Sequence, residues 1–149
     1  MDTFPRSMKQ PHLLSPKGFS AAGVFAGIKT RPVPDVGLLI CHAPATAAAM
    51  FTTNKVLAAP IVVGRRHIKS GKLRGVVVNA GNANACTGKQ GLADAEEMCS
   101  LSGEAIGCPA TQILPSSTGI IGVLMPMDKV RAGIKKASQH LGNSQAQAN

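Results

Sequence analysis

A mixed α and β fold is predicted for this 149-residue chain. Three observations predict it. Short apolar runs, one of them strongly β-branched, alternate with segments of helical periodicity, in the order strands, helix, strand, helix. Hydrophobic residues make up 44% and charged residues 15%, which suits a packed core over most of the length. Aromatics are nearly absent, with four Phe and no Trp or Tyr, so the core is built from Val, Ile, Leu, Ala and Met. The length suits one domain or a large part of one.

Residues 1–15, with Pro5 and Pro11, read as an extended arm, and residues 16–149 as one body. Gly23–Thr30 reads as a first strand and Arg31–Asp35 as a turn. Val36–His42 is an apolar run of strand length, the pattern of a strand buried on both faces. Ala45–Asn54 leans both ways, with alanines favouring helix and Phe51-Thr52-Thr53 favouring strand. Ala59–Gly64 starts a short element, and Gly75–Asn79 is a strand by its three valines. Leu92–Ile106 predicts a helix with Leu92, Ala95, Cys99, Ser102 and Ile106 near one face, stopped by Gly107 and Pro109. Asp94, Glu96 and Glu97 suit the positive end of that helix. Gln112-Ile113-Leu114 opens another strand. A last helix runs from Asp128, read as its N-cap, to Leu141, with Val130, Ile134, Ala137 and Leu141 as its stripe.

The net charge is +9, and 11 of the 16 basic residues lie between Arg6 and Arg74. The densest group is Arg65, Arg66, His67, Lys69, Lys72 and Arg74. It reads as a solvated basic face or a surface for an acidic partner segment, with attraction of anionic substrates as the functional alternative. Nucleic acid is disfavoured as a partner, because stacking aromatics and recognised motifs are lacking. No apolar run reaches membrane-spanning length, and no secretory signal opens the chain, so a cytoplasmic protein is expected. Cys41, Cys86, Cys99 and Cys108 form no C-x-x-C pair, which disfavours a zinc or thioredoxin-type site. No metal or cofactor is expected.

Two glycine-rich cassettes carry the candidate chemistry. Asn79-Ala80-Gly81-Asn82-Ala83-Asn84-Ala85-Cys86-Thr87-Gly88 reads as a self-bonded loop between strand and helix, with ligand contact by Asn79, Asn82 or Thr87 as the alternative. It matches neither the P-loop nor the dinucleotide fingerprint. Cys86 reads as a small buried thiol rather than a nucleophile, because His12, His42, His67 and His140 are scattered. His42 reads as a strand-end residue. Ser116-Ser117-Thr118-Gly119-Ile120-Ile121-Gly122 reads, on spacing alone, as a glycine turn between strand and helix; the functional alternative is that the Thr118 hydroxyl and Gly119 N–H serve as the donor pair that an oxyanion requires.

These strings, with Pro16-Lys17-Gly18-Phe19, Phe51-Thr52-Thr53-Asn54, Ala58-Ala59-Pro60 and Leu124-Met125-Pro126-Met127, occur in the order found in the ornithine acetyltransferase (glutamate N-acetyltransferase) family. The chain resembles the N-terminal part of that family's α chain over roughly residues 16–141. The resemblance implies a layered αββα sandwich like that of N-terminal-nucleophile hydrolases, incomplete in this chain. It implies a precursor that cuts itself ahead of a threonine, which opens a β chain and serves as nucleophile, in an α2β2 assembly. It implies acetyl transfer from N-acetylornithine to glutamate in arginine biosynthesis, with Thr118 and Gly119 stabilising the oxyanion. Acetyl-CoA serves some members as a co-substrate. The nucleophile lies downstream of the segments matched here, so this chain alone is expected to be inactive. A self-processing aminopeptidase of similar fold and an inactive interaction module are the rival expectations.

Overall fold

The computed structural model describes Leu14 and residues 16–142; the 1–15 arm therefore lies almost wholly outside the described residues. The elements in chain order are β1 (Phe19–Val24), β2 (Val36–Thr46), α1 (Ala59–His67), β3 (Lys72–Asn82), α2 (Gly88–Ile106), β4 (Ile113–Ile120) and α3 (Met127–Gln139). The class is mixed α and β, as predicted. One four-stranded sheet runs in the order β1-β2-β3-β4. β1–β2 and β2–β3 are antiparallel, and β3–β4 is parallel. A parallel pair needs a long crossover, and α2 supplies it.

Alternation along the strands sets the layers. Val36, Leu38, Val77 and Ile113 are buried and form the core with Val63, Ala95, Met98, Cys99, Val130, Ile134 and Ala137 from the helices. Val76 is only partly buried and Val78 is 37% exposed, so the opposite face of β3 is open. The molecule is thus one sheet with helices on one face, half of the layered sandwich. β2 corrects the expectation of a strand buried on both faces: its first residues alternate, and His42–Pro44 are exposed within the register shift between Ile40 and Ala45.

Several boundaries move. The first strand runs from Phe19 to Val24, and Phe25–Pro34 form bends and irregular backbone rather than the predicted strand from Gly23 to Thr30. Ala47–Ala58 forms neither helix nor strand. α2 begins at Gly88, so Asp94 lies beyond the first turn and the acidic residues are not a helix-start feature. Glu96 pairs with Arg66 of α1 and Glu97 with Arg131 of α3, which ties the helices together at the surface. Gly107 ends α2 as predicted, with the Cys108 N–H donating to the Gly103 carbonyl. α3 is capped by Pro126, with Asp128 inside its first turn; Val130, Ile134 and Ala137 form its buried stripe, but the helix ends at Gln139, so the predicted stripe residue Leu141 lies beyond it and is only partly buried.

Candidate active site

The two cassettes lie side by side. β3 carries the first into the sheet as far as Asn82, and β4 runs parallel beside it, with Asn79 opposite Ser117, Ala80 opposite Thr118 and Gly81 opposite Gly119. The second cassette is therefore strand through Ile120, not a turn. The ladder shifts register at Gly81 and Asn82. Gly119 has φ +136°, and a Cβ there would lie 2.5 Å from the Asn82 nitrogen and 2.6 Å from the Gly81 oxygen. Only glycine permits that backbone and that approach.

The asparagines hold this geometry. Asn79, Asn82 and Asn84 are buried. Asn79 Nδ2 donates to the Asn82 carbonyl, and Asn82 Nδ2 to the carbonyls of Val123 and Leu124. Asn82 Oδ1 accepts the Asn84 N–H. Asn84 Nδ2 donates to the Gly91 carbonyl, and its Oδ1 accepts the Thr87 hydroxyl. Backbone bonds from Ala83 to Ile120 and from Gly122 to Ala85 complete the stitching. The self-bonded reading of the first cassette holds. Asn79 Oδ1 and Ser117 Oγ, from opposed residues, are buried without hydrogen-bond partners among the described residues.

Thr118 and Gly119 are both exposed, on the edge strand of the sheet. An edge strand leaves alternate backbone groups free of the ladder. The two residues line a cavity of about 700 Å³ together with Ala80, Gly81 and the loop residues Ile28, Lys29, Thr30 and Arg31. Its volume is that of a small-molecule site. The loop of residues 28–31 is set by Asp35, which sequence reasoning treated only as part of a turn. Its buried carboxylate accepts the N–H groups of Ala26 at 2.6 Å, Ile28 at 2.7 Å and Lys29 at 3.0 Å. The signal was available in retrospect: a short turn with one acid and several backbone donors is a carboxylate nest.

The remaining candidates do not converge here. Cys86 is exposed at φ +59° in the β3–α2 loop, which corrects the buried reading. His42 lies inside β2, its Nε2 2.8 Å from Ser20 Oγ. Cys99 is fully buried and its thiol is pushed up to about 12 by that burial, which keeps it protonated and unreactive. The basic group is largely engaged within the chain. Arg65 donates to the Thr52 carbonyl and sits over the Phe51 ring, Arg74 donates to the Cys41 carbonyl, and Lys72 to Thr46. Among the described residues no cluster of His, Cys, Asp and Glu suits a metal ion, and no helix is long and apolar enough to cross a membrane.

The sequence matches the ArgJ family over residues 20–149. The chain belongs to the ArgJ family. It is 41% identical over 145 residues to the arginine biosynthesis bifunctional protein ArgJ of Rhodopirellula baltica, covering 97% of this chain and 35% of the relative. It is 49% identical to the ArgJ of Symbiobacterium thermophilum over 129 residues, 85% of this chain and 32% of that protein. The chain thus spans about a third of the length of the curated ArgJ proteins it matches. Two crystal structures share its fold. The ArgJ of Bacillus halodurans superposes with a TM-score of 0.82 at 43% identity, over 85% of this chain and 66% of that one. The ornithine acetyltransferase of Mycobacterium tuberculosis, complexed with ornithine, superposes with a TM-score of 0.88 at 36% identity, over 92% of this chain and 74% of that one. Both ArgJ folds agree with the sandwich class expected from the sequence.

Proposed function

We propose that this chain supplies the oxyanion-stabilising part of an acetyltransferase that moves acetyl from N-acetylornithine to glutamate in arginine biosynthesis. The observation that carries the reading is the exposure of Thr118 and Gly119 together on the wall of the cavity, with Gly119 in a backbone shape that no other residue adopts without strain. A threonine hydroxyl of a second, β chain attacks the acetyl carbonyl. The C–O bond forms, and negative charge grows on the carbonyl oxygen, where the Thr118 hydroxyl and Gly119 N–H receive it. Collapse breaks the C–N bond, and the proton taken from the nucleophile passes to the leaving ornithine amine. The glutamate amine then attacks the acetyl-threonine. A new C–N bond forms, the C–O bond breaks and the proton returns to the threonine oxygen. Acetyl-CoA serves as an optional acetyl donor by the same attack.

An exposed apolar strip supports the two-chain reading. Ile120 and Ile121 are each 64% exposed, and Val123 and Leu124 lie just beyond them on the surface. Such a strip marks an interaction surface. In the proposed α2β2 enzyme the β chain covers it and brings the nucleophile to the cavity. The reading assigns the reaction to the cytoplasm, where thiols stay reduced.

The test is kinetic. In the assembled enzyme Thr118→Ala lowers turnover on the order of 10²–10³, the loss typical of one oxyanion donor. A loss below about threefold rejects the role on that scale. The same enzyme is assayed for acetyl transfer and for cleavage of a peptide amide; activity on the amide alone favours an aminopeptidase. The 149-residue chain by itself yields no ornithine-dependent turnover. Measurable turnover by the isolated chain overturns the two-chain mechanism.

A further inference from the structure

Asn79 and Ser117 are opposed across the β3–β4 ladder, one residue before Thr118 and just ahead of the register shift at Gly81 and Asn82. Opposed residues of a ladder project to the same face of the sheet. For this rung it is the helix-covered face, because Val77 of β3 and Ile113 of β4 share its alternation and belong to the core. Neither Asn79 nor Ser117 lines the cavity, so neither is a substrate contact.

The Asn79 amide is oriented by its own bonding. Its Nδ2 donates to the Asn82 carbonyl at 2.8 Å. The flipped amide would set two oxygens against each other, so Oδ1 faces away from that bond and is an acceptor in want of a donor. Ser117 Oγ carries a hydrogen and is a donor in want of an acceptor. Both oxygens are buried without a hydrogen-bond partner among the described residues. The two deficits are complementary and sit on opposed residues. Neighbouring strands lie about 5 Å apart, a gap that one water spans with a hydrogen bond on either side. Buried waters settle where otherwise unsatisfied polar groups meet.

We infer that one buried water bridges Ser117 Oγ and Asn79 Oδ1, and that through it these two residues position Thr118 and Gly119. The water accepts the Ser117 hydroxyl hydrogen and donates to Asn79 Oδ1. On one side the bridge reaches Thr118 through a single peptide unit. On the other it reaches the asparagine network, because Asn79 holds the Asn82 carbonyl and Asn82 Nδ2 holds the carbonyls of Val123 and Leu124. β4 is an edge strand with one ladder neighbour, so a side-chain tie at this rung limits how far its end can swing. Oxyanion donors act by being fixed in place before the charge develops. The inference rests on the acetyltransferase reading and adds positioning residues to it.

The first test is a crystal structure of the assembled, unmodified enzyme at a resolution that shows ordered water. A water within hydrogen-bond reach of both Ser117 Oγ and Asn79 Oδ1 is expected. A direct Ser117–Asn79 bond, or no density between them, overturns the inference. The second test is kinetic. Ser117→Ala lowers kcat by about tenfold, as for one lost hydrogen bond, and moves KM for N-acetylornithine by less than about twofold. In a Thr118→Ala background the same change lowers kcat by less than about twofold, because Ser117 acts through Thr118. Equal factors in the two backgrounds mean a merely structural role and overturn the positioning. Should Ser117→Ala fail to assemble, the water in the unmodified enzyme decides. Parental turnover in Thr118→Ala alone overturns the acetyltransferase reading instead, and the density of the water is read independently of it.

Discussion

Gly119 is the residue on which the site turns. It combines positive φ with a backbone contact across the ladder, two demands that any Cβ violates at once. Its neighbour Thr118 supplies the hydroxyl, but the direction of that hydroxyl depends on a strand end that only glycines at 81 and 119 allow. Gly119→Ala therefore acts on shape before it acts on chemistry. Strain of that backbone costs about 1–3 kcal/mol, and the clash with Gly81 and Asn82 adds to it. The expected result is a lower denaturation midpoint at unchanged m-value, together with lost turnover. A variant as stable as the parent places this glycine outside the strained set. The serine at 117 and asparagine at 79 pose a second residue-scale matter. Each leaves one buried oxygen without a partner among the described residues, next to a network in which the side-chain amide nitrogen and oxygen of Asn82 and Asn84 are all engaged. Left unanswered by the protein, those oxygens are a cost borne beside the functional strand, where such costs concentrate.

At the scale of elements, the turn between β1 and β2 becomes the unexpected part of the site. Asp35→Ala removes the acceptor for three backbone N–H groups at once. Each orphaned donor costs about 1–3 kcal/mol where water cannot reach it. The loop then loosens locally. Amide exchange at Ala26, Ile28 and Lys29 accelerates by at least about tenfold, while α2 amides keep their protection, the pattern of local opening. Uniform acceleration across the molecule points to global destabilisation instead. Most elements were legible beforehand because their signals are local. Three valines make β3, and helical spacing with Gly107 as a stop makes most of α2. The cavity was not legible, because its walls come from residues 28–31, 80–81 and 118–120, joined only by sheet pairing. The exposure of Cys86 was hidden for a similar reason: small thiols are commonly buried, and the left-handed loop that turns this one outward has no marker at that position. Thr118 and Gly119 were legible only through resemblance, since short Thr-Gly strings carry little information of their own.

The stability of the whole molecule links to pH through its core. Cys99 lies between α2 and the sheet, fully buried, with Sγ 3.5 Å from the Ile113 carbonyl. Burial pushes its thiol from 9.0 up to about 12. Burial also raises Cys108, in the same direction. A raised folded-state value means that the native protein holds the proton more tightly than the unfolded chain. Its contribution to stability is fully present below the unfolded value of 9.0 and is lost as pH climbs toward about 12. The loss reaches at most about 1.4 kcal/mol per pH unit for one proton. Glu97 acts at the other end. Its hydrogen bond to Arg131 lowers its carboxyl, so that contribution is present above the ordinary carboxylate range and fades as acid protonates it. The pair is solvent-exposed and the acid effect is correspondingly small. The alkaline effect is the one to measure. Melting temperature followed from about pH 8 to about pH 11 falls more steeply for the parent than for Cys99→Ala. The alanine variant starts lower, because it loses packing and the bond to Ile113, but its slope is shallower by the missing thiol. Parallel slopes for the two proteins contradict a buried, protonated Cys99. Iodoacetamide at mild alkaline pH gives an independent check: it modifies the exposed Cys86 and leaves Cys99 untouched until the fold opens.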